Sequence, residues 1–145
     1  MDNSVKLIPH VVCKDGLKAL EVYKAAFGGE IVATMLSSSG KLMHGSVNVM
    51  GHLIYVVEEF PDFGSFSPLS LNGTSVTLHL HVPDCDAVFA KAIEAGFEVI
   101  MPPADMFWGD RYGQLRDPFG HRWAIATTIK DVSMEEAAEI AKTAF

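Results

Sequence analysis

A short segment, Trp108-Gly109-Asp110-Arg111, combines a large aromatic ring, a flexible glycine and two opposite charges, and Tyr112 follows directly with a second ring. An indole can stack on a flat ligand, and a guanidinium can pair with an anionic group. A turn does not need this combination of residues, so we expect the segment to close a binding cavity. The structural alternatives are that Trp108 packs in the core and that Arg111 forms a solvated pair with Asp110.

Histidines on predicted strands are the second set of residues that could contact a ligand. Apolar residues alternate with Thr77, His79 and His81 in the segment 76–82, and His10 and His44 lie in the first and third predicted strands. Alternate residues of a strand share one face, so these side chains can offer hydrogen bonds to a ligand lying on the sheet. Half-exposed histidines without a function are the alternative. The predicted ligand-binding residues are His10, His44, Thr77, His79, Trp108, Arg111 and Tyr112.

The elements that would position these residues occur twice in the same order, namely strand, helix and three strands. We predict a first module at about residues 5–58, a linker at about 59–74, and a second module at about 75–128. The run EIV at residue 30 aligns with EVI at residue 98, a shift of 68 residues (98 − 30). An internal period of this size indicates a duplicated βαβββ unit. Chance similarity between two amphipathic helices is the alternative, and the recurring order argues against it.

Individual elements follow from hydrophobic periodicity and turn residues. The run DPFG at residue 117 has the residues that a type I turn prefers, which predicts a hairpin between residues 112–116 and 121–126. A serine with glutamate three residues on forms a capping box before a C-terminal helix at about 133–143. The other predicted strands are residues 6–12, 31–36, 43–49, 53–57, 76–82 and 97–101, and the other helices are Gly16–Phe27 and residues 84–95. The 145 residues are expected to form one domain.

Composition and charge argue against several classes of partner. The net charge is −7 and the 11 basic residues are scattered, which disfavours binding to nucleic acid. No apolar run approaches the ~20 residues that cross a bilayer, and the first residues lack the parts of a secretion signal. Cys13 and Cys85 are expected to be buried, reduced thiols. We therefore expect a cytoplasmic protein without nucleic-acid or membrane partners.

The chain resembles the vicinal oxygen chelate superfamily, and within it the PhnB-like glyoxalase/bleomycin-resistance branch. The similarity covers residues 7 to about 140, and its most specific stretches are PH (9–10), ALEVY (19–23), FG (27–28), MPPADMFWGDR (101–111) and DPFGHRW (117–123). The resemblance implies an α+β fold in which two tandem βαβββ modules form curved half-barrel sheets around a cavity. It also implies a homodimer.

The resemblance bears on metal binding through three positions. Metal-using members place a His or Gln on the first strand, a His on the strand that opens the second module, and a Glu on the last strand. These positions fall near Ile8, at Thr77 and at Ala124 in this chain. Alanine cannot donate to a cation, so we predict no metal ligands and no cofactor.

A displaced metal site is the alternative, because His10 and His79 each lie two residues beyond a family position. Such a site would need a carboxylate from Glu58 or Glu59, since a divalent cation requires at least three convergent donors.

Three functions remain open from the sequence. The favoured one is a metal-independent homodimer that binds and sequesters a small molecule, as in bleomycin-resistance relatives, which share a Trp-Gly ahead of an Arg-Asp-Pro turn. The second is a metal-dependent glyoxalase- or dioxygenase-type enzyme, acting as a lyase or isomerase through the displaced site. The third is a structural or regulatory dimer without a ligand. The sequence leaves open whether the chain is an enzyme.

Overall fold

The computed structural model describes residues 1–144. The chain divides into two compact units, one made of Met1–Thr74 with Phe119–His121, the other of Ser75–Pro118 with the residues from Arg122 onward. Each unit contains one open four-stranded sheet. The architecture is α+β and matches two tandem βαβββ modules, as predicted.

The first unit contains a strand, a helix and three further strands. Its elements are β1 (His10–Cys13), α1 (Gly16–Phe27), β2 (Ile31–Leu36), β3 (Leu42–Val49) and β4 (His52–Glu58). The strand order is β1-β4-β3-β2, with β1 parallel to β4 and the other neighbours antiparallel. α1 begins after Asp15, whose carboxylate accepts the amide hydrogen of Lys18, and ends at Gly28 with φ 70°. These are the residues that start and stop helices, and the bounds predicted for α1 are confirmed.

The core of the first unit lies between α1 and one face of its sheet. Leu20 and Tyr23 of α1 are buried, and so are Val47 of β3 and Val56 of β4. Because side chains alternate along a strand, the polar residues of these strands lie on the opposite face.

The second unit repeats this order. Its elements are β5 (Thr77–His81), α3 (Cys85–Glu94), β6 (Glu98–Asp105), β7 (Asp110–Arg116), β8 (Arg122–Thr128) and α4 (Met134–Ala144). The strand order is β5-β8-β7-β6, with β5 parallel to β8, so the repeat predicted from the sequence is confirmed. α3 packs on β6, β7 and β8, and buries Phe89 against the face that carries Leu115 and Trp123.

Two strands, β1 and β6, differ most from their predicted bounds. β1 begins at His10 rather than at residue 6. β6 continues to Asp105, well beyond the predicted end at residue 101. Prolines normally interrupt a strand. Pro102 and Pro103 are tolerated because β6 is an edge strand whose register shifts between Met101 and Ala104, where the ladder does not need their missing N–H groups.

The linker contains a 3-10 turn and a short α-helix. A 3-10 turn forms at Pro61–Phe63, because proline is tolerated in the first position of a helical turn. The short helix α2 (Pro68–Leu71) follows, capped by Ser67. Glu59 anchors the linker, because its carboxylate accepts hydrogen bonds from the backbone and hydroxyl of Ser67 at 2.8 and 3.0 Å. Hydrogen bonds from Ser70 and Ser67 hold the pKa of Glu59 below its usual value.

The predicted hairpin of β7 and β8 is present, and Trp123 Nε1 donates to Asp117 Oδ2 at 2.9 Å across its turn. The tip, Phe119–His121, belongs to the first unit. There Phe119 meets the ring of Tyr23 edge-on at 6.1 Å. The predicted C-terminal helix is also present as α4, and Ser133 Oγ accepts the amide hydrogen of Glu136 at 3.1 Å, as the capping box requires.

Candidate functional site

The polar face of the second sheet carries an aromatic surface. His79 on β5 and Tyr112 on β7 lie on either side of β8, yet their ring centroids are 6.1 Å apart and their planes differ by 30°. Strands two apart are separated by about 9.6 Å, so the two rings lean toward each other above β8. β8 has only Ala124 and Ala126 at the register positions between them, and both alanines are buried. The small alanine side chains leave room for the rings.

Trp108 extends this aromatic surface from the tight turn that joins β6 to β7. The turn closes with Met106 N donating to the carbonyl oxygen of Asp110 at 2.7 Å, and Gly109 adopts φ 101°, a conformation that favours glycine. The half-buried Trp108 ring meets Tyr112 edge-on with centroids 5.6 Å apart. The aromatic surface thus consists of His79, Tyr112 and Trp108.

A chain of hydrogen bonds holds the Trp108 indole in place. Trp108 Nε1 donates to Asp110 Oδ2 at 3.2 Å, and Thr128 Oγ1 donates to Asp110 Oδ1 at 3.1 Å. The threonine hydroxyl has one hydrogen, so His81 Nε2, at 3.1 Å from Thr128 Oγ1, is the donor of the remaining bond. Beside this chain lies an open depression of about 410 Å³, lined by His81, Val82, Pro83, Thr127 and Thr128.

The aromatic surface is bordered by a row of charged residues, which we call the basic row. Arg122 on β8 lies directly opposite Arg116 on β7 and Thr77 on β5. Glu98 on β6 completes the row, opposite Arg116. Arg122 is not among the residues predicted from the sequence, although the alternation of Arg122, Ala124 and Ala126 along β8 indicates that it lies on the polar face.

Arg111 lies on the other face of the same sheet, away from the aromatic surface. Its Nε donates to Asp86 of α3 at 2.9 Å, and its Nη1 donates to Asp105 at 2.8 Å. The hydrogen bonds to Asp105 and Asp86 raise the pKa of Arg111 above its usual value. The alternative, a solvated pair with Asp110, does not form, because neighbouring residues of a strand point to opposite faces. The structure therefore does not bring Arg111 together with the other predicted ligand-binding residues.

Two predicted residues, His10 and His44, belong to the polar face of the first sheet. Both rings meet Tyr55 edge-on, His10 at a centroid distance of 5.9 Å and His44 at 4.8 Å. Ser46 is buried on the same face. Each unit thus has a sheet face rich in histidine and aromatic rings. The predicted ligand-binding residues of the second unit on that face are Thr77, His79, Trp108 and Tyr112.

With this geometry established, comparison with known proteins places the chain in a family. The sequence profile of the glyoxalase/bleomycin resistance protein/dioxygenase superfamily matches residues 7–125. The chain belongs to this superfamily. An uncharacterised protein of Mycobacterium bovis is 38% identical over 133 residues, which cover 90% of this chain and 88% of that protein.

Solved structures show the same fold. A PhnB protein from Bacillus cereus has a TM-score of 0.66 and 17% identity, with 85% of this chain and 99% of that chain covered. TnmS3 from a Streptomyces species, described as an antibiotic-binding protein, has a TM-score of 0.63 and 24% identity, with 88% and 98% covered. The chain thus shares the fold of the Bacillus cereus PhnB protein and of TnmS3. None of its helices within residues 1–144 is long and apolar enough to span a membrane.

The residues present do not fit the metal triad of metal-using members of this superfamily. Ala124, at the position of the family glutamate, lies directly opposite His79 and offers no donor atom. Glu58 Oε1 accepts the amide hydrogen of Gly16 at 2.6 Å, and Glu59 is bonded to Ser67, so both carboxylates are engaged elsewhere. Across residues 1–144, no group of three or more His, Cys, Asp or Glu side chains is arranged to hold a metal ion.

Proposed function

We propose that the protein is a metal-independent, cytoplasmic homodimer that binds and sequesters a small planar molecule. The observation that carries this proposal is the aromatic surface of His79, Tyr112 and Trp108, built over two alanines on the polar face of the second sheet. Tyrosine and tryptophan rings contribute large stacking areas and lose little rotamer entropy on binding.

The proposal gives each predicted residue of this sheet a role. Tyr112 and Trp108 stack on the ligand, while His79 and Thr77 donate or accept hydrogen bonds at its edge. His10 and His44, which flank Tyr55 on the first sheet, remain candidate hydrogen-bonding residues of that sheet.

Three observations support the other parts of the proposal. The similar Streptomyces protein is described as antibiotic-binding, which agrees with small-molecule sequestration in this fold. Cys13 and Cys85 are buried and form no disulfide, as is usual in the cytoplasm. Ala124 supplies no ligand where metal-using relatives have a glutamate, which supports metal independence.

Calorimetry with the uncharged planar probe 2-naphthamide tests the binding proposal. We expect measurable binding to the wild-type protein and at least about tenfold weaker binding to Tyr112→Ala, the loss typical of a removed aromatic anchor. Phe63→Ala is the matched control, because Phe63 is 87% exposed in the linker, and it should leave binding unchanged. Absence of binding, or equal loss in both variants, would contradict the proposal.

Metal independence is tested separately by elemental analysis of the purified protein and by titration with Ni²⁺ and Zn²⁺. We expect no stoichiometric metal and no tight binding. A stoichiometric site would favour the alternative, a metal-dependent enzyme.

A further inference from the structure

The basic row places two arginines opposite each other, an arrangement that is electrostatically unfavourable without a counter-charge. Arg116 and Arg122 are directly opposite each other on neighbouring antiparallel strands. Directly opposed side chains have Cβ atoms about 5 Å apart, and like charges in such positions destabilise a sheet. The two arginines therefore need a negative partner.

The protein itself supplies only part of that negative charge. Glu98 reaches Arg116 at 3.9 Å, a long contact between side chains that are 74% and 43% exposed. Arg122 is half-buried, and no carboxylate within residues 1–144 forms an ion pair with it. Two arginines and one glutamate leave the row with one net positive charge, on a chain whose net charge is −7.

Gln114 links the basic row to the aromatic surface. Its Nε2 donates to the hydroxyl oxygen of Tyr112 at 2.8 Å, which turns its Oε1 toward Arg122. Arg122 Nη1 donates to that oxygen at 3.5 Å, a weak bond that leaves most of the guanidinium donors available. Successive residues on one face of a strand are about 7 Å apart, so Arg122 lies about that far from Ala124 below the rings.

We propose that the ligand of the aromatic surface is an aromatic acid whose anionic oxygens are bound by Arg122, with Arg116 contributing to the same site. The inference rests on the proposed function and deepens it by naming the ligand class. A guanidinium binds a carboxylate through two parallel hydrogen bonds, and a monoanion neutralises the single excess charge of the row. Arg122 is thus a specificity-determining residue, whereas Arg111 is neutralised by Asp86 and Asp105.

The test compares 2-naphthoate with 2-naphthamide, which have the same ring and differ in charge, by calorimetry. We expect the wild-type protein to bind 2-naphthoate more tightly, with an affinity that falls as salt is added. Arg122→Gln should weaken 2-naphthoate binding at least about tenfold and change 2-naphthamide binding less than about twofold. Arg111→Gln is the matched control, because it removes an arginine from the opposite face of the same sheet.

The outcomes separate this inference from the proposed function. If both probes bind the wild-type protein equally, or if Arg122→Gln weakens the binding of both equally, the proposed acid-binding site is wrong. The proposed binding of a planar molecule at the aromatic surface is then retained. If Arg111→Gln reduces 2-naphthoate binding as much as Arg122→Gln, the effect comes from overall charge and the inference is overturned. If neither probe binds the wild-type protein, both proposals fail.

Discussion

The two tryptophans have contrasting surroundings, although each indole nitrogen donates to an aspartate. Trp123 is 1% exposed, and its bond to Asp117 lies inside the second unit. Trp108 is half-buried, is held by Asp110 and meets Tyr112 edge-on. An indole fixed along one edge and partly open to solvent is suited to stacking on a ligand.

We predict that Trp108→Ala weakens the binding of 2-naphthamide by about 1–3 kcal/mol, as expected for a stacking anchor. The free energy of unfolding should fall by about 1 kcal/mol or less, because the side chain is only partly buried. Calorimetry and urea denaturation measure the two effects.

The control is Trp123→Phe, which removes a buried hydrogen bond and leaves a cavity. It should lower stability by about 1–3 kcal/mol with binding retained. If Trp108→Ala destabilises the protein as much as this control does, Trp108 is a core residue and not a binding residue.

Among the elements, the duplication is visible in how each helix packs on its sheet. Gly45 of β3 and Gly113 of β7 are 68 residues apart (113 − 45), the shift found in the sequence. A Cβ at Gly45 would lie 2.9 Å from Leu20 of α1, and one at Gly113 would lie 2.8 Å from Phe89 of α3. Both modules therefore use a glycine to bring the helix close to the sheet.

Gly113→Ala should lower the free energy of unfolding by about 1–3 kcal/mol, because the new methyl group overpacks the core. Besides Phe89, the new methyl group would lie 3.1 Å from the backbone of β6 at both Met101 and Pro103. The backbone of a paired strand cannot move away as easily as a side chain. Thr77→Ala, at an exposed position of the same sheet, is the control and should change stability by about 0.5 kcal/mol or less. Equal stability of the two variants in urea denaturation would show that α3 has room to shift.

For the molecule as a whole, the first unit leaves an edge strand with apolar side chains in solvent. β2 ends the sheet, and Val32, Met35 and Leu36 are 57%, 60% and 48% exposed. Exposed apolar edges promote association, and proteins usually cover them. This supports the proposed homodimer and suggests that β2 takes part in it.

We predict a mass of about twice 15.8 kDa by light scattering coupled to size exclusion. The double variant Val32→Lys, Met35→Lys should shift the protein toward monomer, because it places like charges on the edge. Met134→Lys is the control, since Met134 on α4 is 83% exposed, and it should leave the dimer intact. A monomeric wild-type protein would contradict the dimer, and a dimeric double variant would place the interface elsewhere.

The sequence by itself determined most of the elements, because their signals are local. The bounds of α1 and β2 are those predicted, and α3 differs by one residue at each end. Caps and two-residue alternation act over a few neighbouring positions, so no long-range information is needed. The predicted strand 97–101 is shorter than β6. β6 continues through Pro102 and Pro103 because it lies at the sheet edge, which is a property of the folded sheet.

Only the tertiary structure decided which side chains meet. Asp110 and Arg111 are neighbours in the sequence, but they lie on opposite faces of β7 and bind different partners. Arg122 was not among the residues predicted from the sequence, because its significance depends on Arg116 lying opposite and on Gln114 linking it to Tyr112. Register sets these contacts, and it is established by pairing between strands that are distant in the chain, so a residue's charge alone does not reveal its partner.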